Sequence, residues 1–331
     1  MVGITASWQA ADGHQPGGWP KSLQLVAFAF CVANAVAILH VFGTWLFDPN
    51  APRIATDFVG FWPAGRQVLD GQAAAVYDSV AHKAAGVAAL GHDFPGHFAL
   101  YYPPPYLLLL SVLPLLPYTA SYIAWVLLTP LPYIYVISRI VDDRIGILLA
   151  CAFPAVLANA IIGQNGCITA ALFGGALVAM QSRPVLAGCL IALLTYKPHF
   201  GILIPLALIC AGQWRVFVSA AVATVALAVA SWAILGTGAW EGFIDAILRA
   251  NRYTLGEGLS DWSKLQNLFA LVRVMGGNLQ VAWVVQGAAI AVMTVWVCVA
   301  WSGRQPFEIK AAILSVGAVI CAPYILSLIH I

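Results

Sequence analysis

The sequence predicts an all-α polytopic membrane protein of about nine transmembrane helices, and three observations lead there. Of its 331 residues, 62% are hydrophobic. Only 8% are charged, where a soluble chain carries about a quarter. The apolar residues are gathered into runs close to the ~20 residues that a helix needs to cross a bilayer. Mean hydropathy of +0.88 agrees. So few charges cannot cover a water-facing surface of this size, which excludes a soluble enzyme and a disordered tail. A formal net charge of +2 without a basic stripe excludes a nucleic-acid binder.

Taken in order, residues 1–21 form a cytoplasmic N-terminus, and 22–331 form one integral membrane domain. The run from Leu23 to Phe47 is too long for the core of a cleaved signal and reads as a retained first span. Further spans are expected at 118–138, 145–162, 166–180, 184–196, 199–212, 215–235, 281–301 and 309–331. Two polar regions are long, 48–102 and 236–280. The stretch 103–117 is apolar but carries Pro103, Pro104, Pro105, Pro114 and Pro117, and is expected as a short helix at the membrane face. The seven cysteines all lie in apolar runs with no Cys-x-x-Cys pair, and read as small hydrophobes.

Short cationic connections set the orientation. Arg139 and Arg144, Arg183, Arg215, and Arg304 with Lys310 occupy four of them, and belong in the cytoplasm. The alternation of spans then sends the loop 48–117, the turn at Gly163, Lys197 and the loop 236–280 to the opposite, extracytoplasmic side. Each long loop also carries helical periodicity: Phe61, Ala64, Val68 and Leu69 in the first, Phe243, Ile247 and Leu248, then Leu265, Leu268, Phe269 and Val272, in the second. Such amphipathic helices either wall a cavity at the membrane surface or simply pack there.

Several residues on that side have the chemistry of a site. Asp57 stands among aromatics close to the bilayer, and reads either as a proton acceptor or as a helix N-cap. Asp48, Asp70 and Asp78 read as turn residues. Tyr102, in Tyr101-Tyr102-Pro103-Pro104-Pro105, suits the interfacial belt or a sugar site. Lys197 breaks the positive-inside pattern, which favours a lipid-phosphate contact over a helix-end cation. Gln164 and Asn165 offer neutral hydrogen-bonding groups at a turn that also needs no function to exist. The second loop mixes cations and aromatics (Arg249, Arg252, Trp262, Lys264), fit for phosphate and sugar or for lipid headgroups. His92, Asp93 and His97 lack any metal-binding spacing, so no metal site is expected. The nucleophile-elbow and phosphate-loop motifs do not occur.

The ordered set of short motifs resembles glycosyltransferase family 87, the polyprenol-phosphate-sugar-dependent transferases of the GT-C membrane superfamily. It comprises Asp57-Phe58, Leu69-Asp70-Gly71, Val76-Tyr77-Asp78, Tyr102-Pro103-Pro104, Leu116-Pro117, Gly163-Gln164-Asn165, Lys197-Pro198-His199, and Trp262-Ser263-Lys264 with Leu268-Phe269, within residues 22–325. The resemblance implies a GT-C-like bundle that moves a hexose, often mannose, from a polyprenyl-phosphate sugar to a lipid or glycan acceptor. It implies no cofactor, with membrane lipids as the remaining partners. The reaction would take place on the outer face of a plasma membrane, such as a bacterial inner membrane. Asp57 matches the family's general base. Lys197, His199, Arg252 and Lys264 are then expected at the donor phosphate, and Tyr102, Gln164, Asn165 and Trp262 at the sugar or acceptor. Relatives continue past Ala322-Pro323-Tyr324 into further spans, and this chain ends inside an apolar run, so the source gene is expected to extend beyond Leu326. A secondary transporter and a non-catalytic lipid-binding subunit are the alternatives. The scarcity of charge in the spans and the lack of a repeat speak against the first.

Overall fold

The computed structural model describes residues 19–47, 55–96, 98–141, 144–198, 202–250 and 267–321, and the regular structure among them is helical. Helix α1 (Lys21–Phe47) is apolar on every side over 27 residues, about 40 Å at 1.5 Å per residue. The first long loop folds into α2 (Phe58–Leu69), a 3₁₀ turn at Ala73–Tyr77, and α3 (Ser79–Leu90). α2 is amphipathic, with Phe58, Phe61 and Ala64 buried, although Leu69 is exposed rather than on the packed face. α4 (Pro104–Leu110) and a 3₁₀ turn at Leu113–Leu115 form the short helical piece expected in 103–117.

α5 (Tyr118–Leu128) and α6 (Pro130–Val141) together give one 24-residue apolar stretch. α7 (Arg144–Ala152) and α8 (Pro154–Ile162) instead meet at 50°. Pro154 has no amide to continue the ladder, and Phe153 before it is extended at ψ 122°. α9 (Gly166–Ala179) and α10 (Pro184–Leu193), the latter prolonged by a 3₁₀ turn at Leu194–Tyr196, make a helical hairpin. α11 (Leu203–Cys210) follows, and then α12 (Trp214–Leu235), which packs along α10. The second long loop supplies α13 (Thr237–Ala250) and α14 (Leu268–Val274). α15 (Leu279–Ser302) and α16 (Phe307–Ile320) complete the described chain.

Among the described residues, four stretches are long and apolar enough to cross a bilayer alone: Lys21–Thr44, Tyr118–Val141, Trp214–Leu235 and Leu279–Ser302. The bent α7–α8 pair makes a fifth if it counts as one span. The molecule is a polytopic helical membrane protein, but nine full spans are not shown. α9 has 14 residues and α11 has 8, about 21 and 12 Å of helix against a hydrocarbon core of about 30 Å. Apolar runs do not report where a helix is cut. Here Pro154, Pro184 and the turns at Gly163 and Gly212 cut several of them short. Cys167 and Cys321 are buried as small hydrophobes, whereas Cys189 on α10 is exposed.

Two buried clusters organise the interior. One gathers α2, α4, α5 and the 3₁₀ turn before Lys197, and is rich in aromatics, including Phe58, Phe61, Tyr106, Tyr122 and Trp125. The other joins α10, α11, α15 and α16 through aliphatic side chains such as Leu194, Leu208, Val297 and Leu314. The candidate site belongs to the first.

Candidate active site

Asp57 stands where an N-cap would stand, directly before α2, yet it does not cap. Its backbone is already helical (φ −60°, ψ −21°), and its carboxylate accepts no bond from the amides of the helix. Asp78 shows what a cap looks like in this chain: one carboxylate oxygen accepts from the Val80 amide at 3.0 Å and the Ala81 amide at 2.8 Å. Asp70 is a turn residue paired with Arg66 one helical turn earlier. The Asp57 carboxylate accepts instead from Gln164 Nε2, 107 residues further along the chain.

Both sequence neighbours of Asp57 are clamped to the bundle. Thr56 Oγ1 donates to Tyr122 Oη at 3.1 Å, and Tyr122 Oη donates in turn to the Ile161 carbonyl at 2.6 Å. The Phe58 ring stacks on Tyr122 with centroids 4.5 Å apart. Asp57 is thus fixed from each side while its carboxylate points elsewhere.

The turn that meets it is equally constrained. Gly163 ends α8 in the left-handed region at φ 74°, where a side chain is strained. A Cβ there would also come within 2.7 Å of Phe58 Cβ and 2.8 Å of Tyr122 Cε2, so glycine is required for close approach as well. Asn159 braces the turn, its carbonyl accepting the Gln164 amide at 3.0 Å and its Oδ1 accepting the Gly166 amide at 2.6 Å. Trp125 Nε1 donates to the Gln164 carbonyl at 3.2 Å. With its backbone pinned, Gln164 presents its side-chain amide to Asp57.

Asn165 is fully buried, and its Nδ2 donates to Tyr106 Oη at 2.9 Å with Tyr102 also in hydrogen-bonding reach. Tyr106 stacks on Tyr196 at 4.6 Å and 12°. The Tyr196 hydroxyl shares a 2.7 Å hydrogen bond with Thr169, which donates back to the Asn165 carbonyl at 3.0 Å. Burial raises the Tyr102 phenol above its ordinary pKa, so it stays a neutral donor near pH 7. Its carbonyl accepts from Tyr77 Oη at 2.8 Å, and Arg249 of α13 donates to the Tyr77 carbonyl at 3.1 Å, so the second loop supports the first.

Lys197 follows the 3₁₀ turn that carries Tyr196. Burial pulls its ammonium down to about 8, and the nearby negative charge of Asp57 works against that pull. An acid, an ammonium, a side-chain amide and buried phenols therefore converge from α2, the α8–α9 turn and the end of α10. A set of this kind can accept a proton, stabilise a leaving anion and hold hydroxyl groups.

Of the residues expected from the sequence, Asp57, Tyr102, Gln164, Asn165 and Lys197 come together. His199, Arg252, Trp262 and Lys264 lie outside the described residues. Asn159, Tyr106, Tyr122 and Tyr196 belong to the constellation but were not anticipated. A signal existed, because buried tyrosines in apolar runs need partners for their hydroxyls. In the second loop, Asn267 caps α14, its Oδ1 accepting from the Ala270 amide at 2.7 Å.

Searches of curated proteins and of solved structures found no match. A family comparison did. It begins after Asp57 and the motifs at 69–71 and 76–78, and takes in Tyr102, Gln164, Asn165, Lys197 and the 262–264 motif. Since residues 100–324, about two thirds of the chain, match the sequence model of Glycosyltransferase family 87, the chain belongs to that family of membrane glycosyltransferases.

Proposed function

We propose that this glycosyltransferase moves a hexose, mannose in the first instance, from a polyprenyl-phosphate sugar to a lipid or glycan acceptor, with Asp57 as general base. The reaction takes place at the extracytoplasmic end of the bundle, in a plasma membrane of the bacterial inner-membrane type. The shorter apolar helices complete a nine-pass GT-C-like topology by packing against the longer spans. One observation carries the assignment: the Asp57 carboxylate is withheld from capping and delivered to Gln164 and the field of Lys197.

In the step so envisaged, the acceptor hydroxyl passes its proton to Asp57 as its oxygen bonds to the anomeric carbon. The bond from that carbon to the phosphate oxygen breaks, and the electron pair leaves with the phosphate. Lys197 stabilises the developing anion, an electrostatic term that grows in the transition state. Gln164 keeps the carboxylate in register, and Tyr102 and Asn165 supply hydrogen bonds for sugar or acceptor hydroxyls. His199, Arg252 and Lys264 add cations around the phosphate, and Trp262 adds a stacking face.

The test is transfer of radiolabelled sugar from a lipid-linked donor by the purified chain in proteoliposomes. Asp57→Asn preserves size and capping ability but cannot take a proton, so turnover should drop by roughly 10²–10⁴ while folding and donor binding persist. Near-normal transfer by this variant would falsify the assignment. Absence of donor consumption by the unaltered protein with any lipid-phosphate hexose would favour the lipid-binding alternative.

A further inference from the structure

At the end of the α9–α10 hairpin away from Asp57, three connections meet around a cavity of about 240 Å³. Gln181 comes from the α9–α10 connection, Gln213 from α11–α12, and Gln305 from α15–α16, with Trp301, Phe307 and Lys310 completing the wall. α9 runs from Gly166 beside the candidate site to Ala179 beside this cavity, so about 20 Å of helix separates the two. An arginine also stands within two residues of each glutamine: Arg183 and Arg304 on their connections, and Arg215 in the first turn of α12. Among the described residues, no acidic side chain lines the cavity.

Lys310 is the informative group. Its ammonium donates to the Gly303 carbonyl at 2.9 Å and the Trp301 carbonyl at 3.4 Å, while Trp301 Nε1 donates to the Lys310 carbonyl at 2.9 Å. Two acceptors leave a third N–H for the cavity. The side chain is half-buried and has no carboxylate partner among the described residues. A cation held this way at a membrane edge is favourable when an anion answers it. Orientation needs only cations on the connections. It does not need three amide side chains around a shared cavity.

We infer that this cavity binds the phosphate-bearing headgroup of an anionic phospholipid, with Lys310 on the phosphate and the three glutamines on the ester oxygens and hydroxyls. The chemistry recognised is a phosphate monoanion beside hydroxyl groups, so a free glycerol phosphate is the competing source.

The experiment is native mass spectrometry of the full chain from mixed micelles offered phosphatidylglycerol and phosphatidylcholine in equal amounts, at fixed low salt. The unaltered protein should retain phosphatidylglycerol roughly tenfold better, because both lipids offer Lys310 a phosphate, but only glycerol offers the glutamines hydroxyls, while choline brings a cation beside Lys310. Gln305 is exposed, so its substitutions leave packing intact. Retention should fall in Gln305→Ala, fall further in Gln305→Glu and rise in Gln305→Lys, whereas Gln280→Ala, exposed at the opposite end of α15, should change nothing. Displacement by millimolar glycerol phosphate would assign the free phosphate as an equivalent ligand, and failure of displacement would assign the lipid. Equal retention of both lipids, or a Gln305 series without the charge order, would overturn the site.

Discussion

The two buried clusters solve the packing problem in opposite ways. In the cluster around Asp57, half of the buried members are aromatic, and many carry hydroxyls tied into hydrogen bonds, as Tyr106, Tyr122 and Tyr196 do. In the α10–α11–α15–α16 cluster, Trp301 is the one aromatic among the buried members, and contact is made through alanine, leucine and valine. Gly188 allows α10 to lie directly against α12 there, since a Cβ would come within 2.7 Å of the Ala220 amide nitrogen. The lesson is that the first cluster holds polar groups in fixed directions at low dielectric, while the interior of the second holds helices together and leaves its polar groups to the connections at its end.

Substitutions in the two regions should separate chemistry from packing. The largest effect on turnover is the roughly 10²–10⁴ loss in Asp57→Asn, against which Asp78→Asn should stay within about twofold, because asparagine caps as well as aspartate. Gly163→Ala comes next. It strains a left-handed residue and displaces Phe58 and Tyr122 beside Asp57, and a misplacement of about 1 Å costs on the order of 10²-fold in rate. Steady-state kinetics on protein selected for monodispersity checks both. Unchanged turnover in Gly163→Ala would erase the proposed distinction between the clusters.

The pH profile gives a smaller, graded effect. With its pKa drawn down to about 8, Lys197 loses its charge as pH rises above that value, so donor affinity should fall about tenfold per pH unit beyond it. Lys197→Arg should carry the falling limb past pH 10. The stability linkage has the opposite sign. Between about 8 and 10.5 the unfolded chain binds the proton that the folded chain has released, so this group makes folding more favourable as pH rises through that window.

Tyr106→Phe removes the acceptor of Asn165 Nδ2 inside a fully buried network, and should cost about 1–3 kcal/mol of stability, read by thermal unfolding in detergent. Gly188→Val should have the least effect on chemistry. Overpacking the α10–α12 contact should cost about 1–3 kcal/mol of stability while turnover per folded molecule holds. A parallel loss of turnover in Gly188→Val would mean that the aliphatic cluster also sets the geometry around Lys197.

Composition and the lengths of the apolar runs were enough to establish a helical membrane protein, because burying so many apolar residues with so few charges has no solution in water. The sequence also singled out Gln164, Asn165 and Lys197, since polar residues interrupting apolar runs are conspicuous, and Asp57 and Tyr102, which stand among aromatics and prolines in the first long loop. It could not tell a capping aspartate from a presented one. Asp57 and Asp78 each precede a helix, and the difference lies in a partner 107 residues away that only the folded chain supplies. Nor could it count the spans, because hydropathy sums over a window while a proline or a left-handed glycine ends a helix at a single residue. The tyrosine network around Asn165 was decided by tertiary structure alone: an apolar run records that a tyrosine is buried, and the packing of three separate segments determines which atom receives its hydroxyl.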